Sequence, residues 1–370
     1  MRLVVIDGNA PWVRSLFAGM PGEVAVDLLR VYSAVDYVRN HRGSMRQIFR
    51  WRQVDERTRE LTVLVPGWTR AYAASSAIVQ SAVRRVRRNP EAATSLVFTT
   101  PFYARVAKSF PGVNRSYFAY DPFLAYDWDA TSVARLEKEL LCECDSVFAI
   151  SHALADDFSA HTSQPVHYLP NAVAESFLER LSNQREPMPE DLADLPRPII
   201  GCVGQINRSY DWDLIATISD ALPHMSFVFV GPIFLESAEM TKRIQSVLSR
   251  PNVRHLGTKP HEDLPRYLMH YDVCFNSLEV NEQNHRRSPL RLYDYLATDR
   301  PILSTAIREA YEHRPFIEIG PTADDCVNLL RTMTSPDYRT DLVGRAQYIL
   351  RNTWQNRAEQ MLQWILSNHE

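Results

Sequence analysis

At 370 residues the chain is long enough for more than one hydrophobic core, and 45% hydrophobic with 23% charged residues is the composition of an ordinary soluble globular protein. A net charge of −3 gives no reason to expect nucleic acid as a main partner, and no apolar run approaches the length of a bilayer span. Five cysteines form an odd set without a disulfide framework, and Cys142 and Cys144 lack a second pair of matching spacing, which argues against a zinc site.

The chain opens on Met1-Arg2-Leu3-Val4-Val5-Ile6-Asp7, which reads as a first strand and not as a signal peptide. A cytoplasmic setting is the expectation. Residues 3–6, 24–32, 61–65, 95–98, 117–120 and 147–150 are strand candidates, and residues 71–88 and 132–142 carry helical periodicity between them. Such alternation predicts a parallel sheet covered on both faces. Two basic clusters stand out here. One holds Arg39, Arg42, Arg46, Arg50 and Arg52, and the other Arg84, Arg85, Arg87 and Arg88. They read either as solvated faces or as a docking patch for anionic lipid or an anionic acceptor, the lipid reading implying peripheral contact with the inner membrane face.

Residues 183–198 are rich in proline and charge, a linker composition. The alternation restarts at residues 199–204 and continues through strand candidates at 227–230, 253–256, 273–275, 302–303 and 316–317. Residues 338–370 read as helical, with Trp354 and Trp364 as apolar anchors. The predicted fold class is α/β, two doubly wound units in tandem. Their boundaries are 1–180 for the first domain, 181–198 for the linker and 199–350 for the second, with a helix over 351–370 packing back on the first. Ligands of such sheets sit beyond the carboxyl ends of the strands, so a cleft between the units is the expected site.

One stretch draws the chemistry together. In Ser288-Pro289-Leu290-Arg291-Leu292-Tyr293-Asp294, serine is placed to cap a helix and proline to occupy its first position. A helix start offers unpaired backbone N–H groups to a phosphate, and Arg286, Arg287 and Arg291 crowd the same turn. Basic groups at the mouth and Asp294 further along suit an anionic head on a hydroxyl-rich body. The alternative is a plain core helix with solvated arginines. Asp121, at the end of the 117–120 strand, is placed to orient an acceptor or assist proton transfer; Asp127 and Asp129 lie close by. The alternative for each is a helix cap. No Asp-x-Asp pair sits at the end of a strand candidate, where it could hold a metal ion, so no metal is expected.

The second half carries an ordered series. Ile200-Gly201-Cys202-Val203-Gly204-Gln205 ends a strand in a glycine turn, and Asp211-Trp212-Asp213-Leu214 opens a helix. Phe229-Val230-Gly231-Pro232 and Asn252-Val253-Arg254-His255-Leu256-Gly257 follow, then Tyr271-Asp272-Val273-Cys274-Phe275. Asn281-Glu282 leads into the serine–proline helix, and Arg300-Pro301-Ile302-Leu303 closes the series. Earlier, Cys144-Asp145-Ser146-Val147 and Leu169-Pro170-Asn171-Ala172-Val173 complete it. Together these resemble the GT-B glycosyltransferases of the large retaining group called family four. The nearest likeness is to its bacterial polysaccharide-synthesis branch, typified by teichuronic-acid transferases. The resemblance spans roughly residues 95–305.

The resemblance implies two tandem Rossmann-like domains facing a central cleft, and transfer of a sugar from a nucleotide diphosphate sugar to a glycan, lipid-linked or small-molecule acceptor. The implied outcome is retention, with no cofactor beyond the donor. Backbone N–H groups at Ser288, Leu290 and Arg291 would hold the pyrophosphate, and Asp294 the ribose hydroxyls. Asn281 and Glu282 would approach the sugar, with Glu282 and Asp121 as the catalytic candidates. Gly204 would let the backbone come close to the phosphates, with Asn207 or Arg208 reaching in and Arg287 or Arg291 adding charge. Arg286 and Asp294 stand where many members carry two glutamates. That departure keeps open a non-catalytic scaffold subunit, and a sugar-nucleotide epimerase on the same two-domain plan is the other alternative.

Overall fold

Strands buried on both faces need near-continuous apolar runs, and such runs fill two parallel sheets here. The computed structural model describes residues 1–40, 48–68, 71–86, 94–126, 128–182, 187–234 and 237–367. They fall into two compact units, Met1–Pro170 with Trp354–Glu370, and Asn171–Thr353. Asp127, Arg42, Arg46, Arg87, Arg88 and the side chain of Arg39 lie outside the described residues, so most of the first basic cluster and half of the second do too.

The first unit holds eight strands: β1 (Arg2–Ile6), β2 (Ala25–Ser33), β3 (Trp51–Gln53), β4 (Thr58–Val65), β5 (Thr94–Phe98), β6 (Asn114–Ala119), β7 (Ser146–Ala149) and β8 (Val166–Tyr168). Their order is β3-β4-β2-β1-β5-β6-β7-β8, with β3 antiparallel to β4 and the other pairings parallel. Leu3 to Ile6 are fully buried, as a central strand requires. The chain builds outward from β1 on one side, then returns to lay β5 on the other. The C-terminal ends of β1 and β5 therefore form the switch point where such sheets bind ligands. The helix Trp354–Ser367 belongs to this unit; its Trp364 ring stacks on His167 at 4.5 Å, beside Phe148.

The second unit holds β9 (Ile199–Val203), β10 (Ser226–Val230), β11 (Val253–His255), β12 (Val273–Asn276), β13 (Ile302–Thr305) and β14 (Glu318–Gly320), all parallel, in the order β11-β10-β9-β12-β13-β14. Alternate residues of β9 serve two cores. Ile199 and Val203 pack with Leu292, Tyr295 and Ile349, whereas Ile200 and Cys202 pack with Trp212, Ile215 and Phe229. The switch point lies between β9 and β12.

Residues 171–182 and 187–198 lie within this second unit. Phe177 and Leu192 are buried in its core, and Asp191 accepts hydrogen bonds from Lys259 Nζ (2.8 Å) and the Tyr267 hydroxyl (3.1 Å). The helical reading of 338–370 is corrected. Two helices occupy it, Leu342–Leu350 and Trp354–Ser367. Between them the backbone turns aside, because Asn352 O accepts from Val173 N and Thr353 forms a β-bridge with Val173. The strand expected at 316–317 lies two residues later, as β14.

Candidate functional site

Strand β9 ends at Val203, whose N–H donates to the Tyr295 hydroxyl at 2.9 Å. Tyr295 sits on the helix Leu290–Leu296, so this bond fixes the helix against the strand end. Gly204 follows with φ of 115°, a conformation that costs an L side chain strain. A Cβ there would stand 3.1 Å from Arg291 Nη2. The Arg291 guanidinium lies 4.6 Å from the centroid of the Tyr210 ring. Its Nη1 is buried without a hydrogen-bond partner among the described residues. Burial pushes the Tyr210 phenol up to about 12, so it stays neutral beneath that cation.

The loop after Gly204 is tied down on both sides. Asn207 Oδ1 accepts from Ser209 N (2.8 Å), and Trp212 Nε1 donates to Asn207 O (3.0 Å). Ser209 Oγ accepts from Arg287 Nη1 (2.5 Å), and Ser209 O from Asn284 Nδ2 (3.0 Å). Asp211 caps the helix Trp212–Ala221 through Leu214 N, while its own N–H reaches Ser277 O. These bonds gather Gly204, Asn207, Arg287 and Arg291 at the end of β9. Arg208 is half-buried on the same loop.

The expected cap is corrected. Pro289, not Ser288, is the N-cap of the Leu290–Leu296 helix, and no side chain caps it. Ser288 is taken by Asn171, which donates from its backbone N–H to Ser288 Oγ (3.2 Å) and from Nδ2 to Ser288 O (2.5 Å). The N–H groups of Leu290 and Arg291, in the first turn, therefore have no intrahelical partner. Asn281 caps the short helix Glu282–His285 by accepting from Asn284 N. Glu282 is exposed and pairs with Arg286 at 3.2 Å.

Asp294 is buried, and its Oδ2 lies 3.7 Å from His261 Nε2. That carboxylate raises the His261 imidazole above its ordinary 6.5. A raised folded-state value stabilises the fold while the ring is charged. The contribution is complete below about 6.5 and is lost as pH rises through the higher folded-state value. The His261 side chain is 58% exposed, so the effect is small. Thermal melts across this range are expected to show the wild type losing its margin over Asp294→Asn as pH rises. Parallel curves would break the assignment.

Asp121 belongs to the first unit, after β6, where its Oδ2 accepts from the Tyr126 hydroxyl at 2.6 Å. Tyr126 lines a cavity of about 440 Å³ with Asn9, Trp12, Arg30, Tyr32 and Tyr120. A larger, mostly apolar cavity of about 740 Å³ in the second unit is lined by Leu296, Thr298, Arg345 and Ile349 and holds none of the expected site residues. Sequence reasoning gave no role to Ser209, Tyr210, Asn284 or Asn9, and quoted Asn171 only as part of a motif. Among the described residues, no group of three or more His, Cys, Asp or Glu side chains is placed to hold a metal ion. None of their helices is long and apolar enough to cross a membrane.

Residues 208–363 match a family model described as glycosyl transferase-like. A Bacillus subtilis (strain 168) protein named for teichuronic acid biosynthesis, the glycosyltransferase TuaH, is 23% identical over 172 residues, covering 46% of this chain and 42% of that relative. The match thus spans less than half of the relative's length. Among solved structures, an Escherichia coli trehalose-6-phosphate structure bound with UDP-2-fluoro glucose superposes with a TM-score of 0.76 at 11% identity, over 99% of both chains. Sucrose-phosphate synthase from Thermosynechococcus elongatus gives 0.69 at 13%, over 99% of this chain and 98% of that one. Anabaena HepE in complex with UDP gives 0.66 at 13%, over 99% of both. Likeness at this identity is a likeness of fold.

Proposed function

We propose that this chain, which has the GT-B fold and belongs with the glycosyltransferases that share it, moves a sugar from a nucleoside diphosphate sugar to a hydroxyl of an acceptor. One observation carries the reading. A half-buried arginine, Arg291, whose Nη1 is buried without a hydrogen-bond partner among the described residues, stands against a glycine turn at the switch point of the second sheet. A charged donor buried without an acceptor is costly unless an anion completes it. The UDP and UDP-2-fluoro glucose held by the Anabaena and E. coli structures support a diphosphate as that anion.

In this reading the second unit holds the donor. Arg291 and Arg287, with the N–H groups of Leu290 and Arg291, take the diphosphate and stabilise its charge as the glycosidic bond breaks. Asp294 takes the ribose hydroxyls, and Asn281 and Glu282 approach the sugar. The acceptor, a glycan, a lipid-linked sugar or a small glycoside, lies against the first unit near Asp121. The anomeric configuration is retained.

Calorimetric titration with UDP, GDP, ADP and TDP tests the donor half, and release of the diphosphate with an acceptor panel tests transfer. Asp294→Ala is expected to weaken nucleotide binding, and Asp121→Ala to lower turnover more than binding. Binding of no nucleoside diphosphate would sink the reading. A sugar nucleotide converted without acceptor, seen by NMR, would replace it with epimerisation.

A further inference from the structure

The cavity in the first unit is lined by residues that follow β1 (Asn9, Trp12), lie in the second half of β2 (Arg30, Tyr32) and follow β6 (Tyr120, Tyr126). Asp7, directly after β1, has φ of 71°, an uncommon conformation for a residue with a Cβ and one that marks functional sites when the surroundings enforce it. The surroundings do enforce it. Thr99 Oγ1 donates to Asp7 O (2.9 Å), Thr100 Oγ1 to Asp7 Oδ2 (3.1 Å), and Asn9 Nδ2 to Asp7 Oδ1 (2.5 Å). Asn9 Nδ2 also donates to Val31 O (2.6 Å), so both of its amide hydrogens have acceptors within reach and the amide is held in one orientation. Its Oδ1 is then left buried without a partner among the described residues. A buried acceptor held in place and left unpaired calls for a donor from outside.

The other walls decide what brings that donor. Trp12 and Tyr120 pack edge to face, with ring centroids 6.0 Å apart, and Tyr32 and Tyr126 complete an aromatic lining. Such walls suit the C–H face of a ring. The lining cation, Arg30, donates to the Tyr32 hydroxyl and lies 3.6 Å from the buried Glu60 carboxylate, while its Nε is buried without a partner among the described residues. Two carboxylates stand by the cavity, Asp121 bonded to Tyr126 and Asp7 bonded to Asn9. Burial lifts Asp7 to about 6, a value at which it is still mostly ionised at neutral pH. With Glu60, Asp7 and Asp121 set against Arg30 and Arg14, which acts on Tyr32, the surroundings carry no excess of positive charge to draw in an anion.

We infer that this cavity binds an uncharged sugar ring, stacked on Trp12 and Tyr120, with one ring hydroxyl donating to Asn9 Oδ1. That the ring is the acceptor rests on the transferase reading. Asp7 acts as a positioning residue, because it holds the Asn9 amide.

Saturation-transfer NMR on the full chain, without donor, tests the site with methyl glycosides of glucose, galactose and mannose, and with glucose 6-phosphate. At least one methyl glycoside is expected to receive saturation and to outcompete glucose 6-phosphate. Its affinity should fall at least tenfold in Trp12→Ala and in Asn9→Ala; thermal melts confirm folding. Trp12 is half-buried at the cavity wall, which makes it the safer variant should Asn9→Ala unfold. No signal from any methyl glycoside, equal signals in Trp12→Ala, or preference for glucose 6-phosphate would each overturn the inference. Calorimetry with the nucleoside diphosphates on the same sample separates the two readings. Nucleotide binding without glycoside binding fails this site alone. Glycoside binding without nucleotide binding leaves the sugar site and removes its acceptor role.

Discussion

Replacing Arg291 with methionine is expected to weaken nucleoside diphosphate binding by about tenfold to a hundredfold while leaving the fold intact. A hydrogen bond to a charged group contributes roughly 1.5–3 kcal/mol, and each 1.4 kcal/mol is about a factor of ten. Methionine keeps an unbranched, apolar side chain beside the Tyr210 ring and removes the charge and the buried Nη1 donor. The alternative role for Arg291 is a core cation stacked on an aromatic face. The two roles separate cleanly. If the guanidinium only packs, the melting temperature shifts and diphosphate affinity does not. If it holds the diphosphate, affinity falls for nucleoside diphosphates and not for nucleosides. Arg291→Lys sharpens the test: it keeps the charge but loses the fixed fork of donors, so partial recovery is expected. Unchanged affinity in Arg291→Met by calorimetry would remove the observation on which the proposed function rests.

The pattern of two parallel sheets was legible because strands covered on both faces must be apolar along their length, as Leu3 to Ile6 and Ile199 to Val203 are. The short antiparallel strand Trp51–Gln53 was not legible: all three residues are exposed and carry neither an apolar run nor an alternation. The site was partly legible. Arg287, Arg291 and Gly204 stood out by type and local order. What the sequence concealed was long-range competition. Ser288 before a proline has the local form of a cap, but a partner 117 residues away, Asn171, claims its hydroxyl. Local rules describe what a side chain can do within its own turn, and the fold decides which neighbour reaches it first. Asn9 was missed for the same reason: Val31 O, which helps fix its amide, comes from the neighbouring strand β2.

Gly231→Ala is expected to be the most disruptive single-methyl change at the site. Gly231 follows β10 with φ of 149°, and a Cβ there would lie 2.0 Å from Gly204 O and 2.7 Å from Gly204 C. These are backbone atoms and cannot swing aside. Hydrogen bonds hold both sides of the contact: Gly204 N donates to Val230 O, Gly231 N to Gly257 O, and His255 Nε2 to Gly231 O at 2.8 Å. Overpacking costs about 1–3 kcal/mol and a strained backbone a similar amount, so a loss of roughly 2–6 kcal/mol is expected. At about 2–4 °C per kcal/mol for a unit of this size, the melting temperature of the second unit should fall by roughly 5–20 °C. The variant also separates the turn from its ligand. The methyl can be accommodated only by moving the Gly204 peptide, and that peptide faces Arg291. Molecules that remain folded at low temperature should therefore bind nucleoside diphosphates more weakly than the wild type. Thermal denaturation and calorimetry on one preparation read both effects. A variant that melted like the wild type would show that β9 and β10 do not approach this closely. A variant that melted early but bound normally would show that the Gly204 turn is structural only.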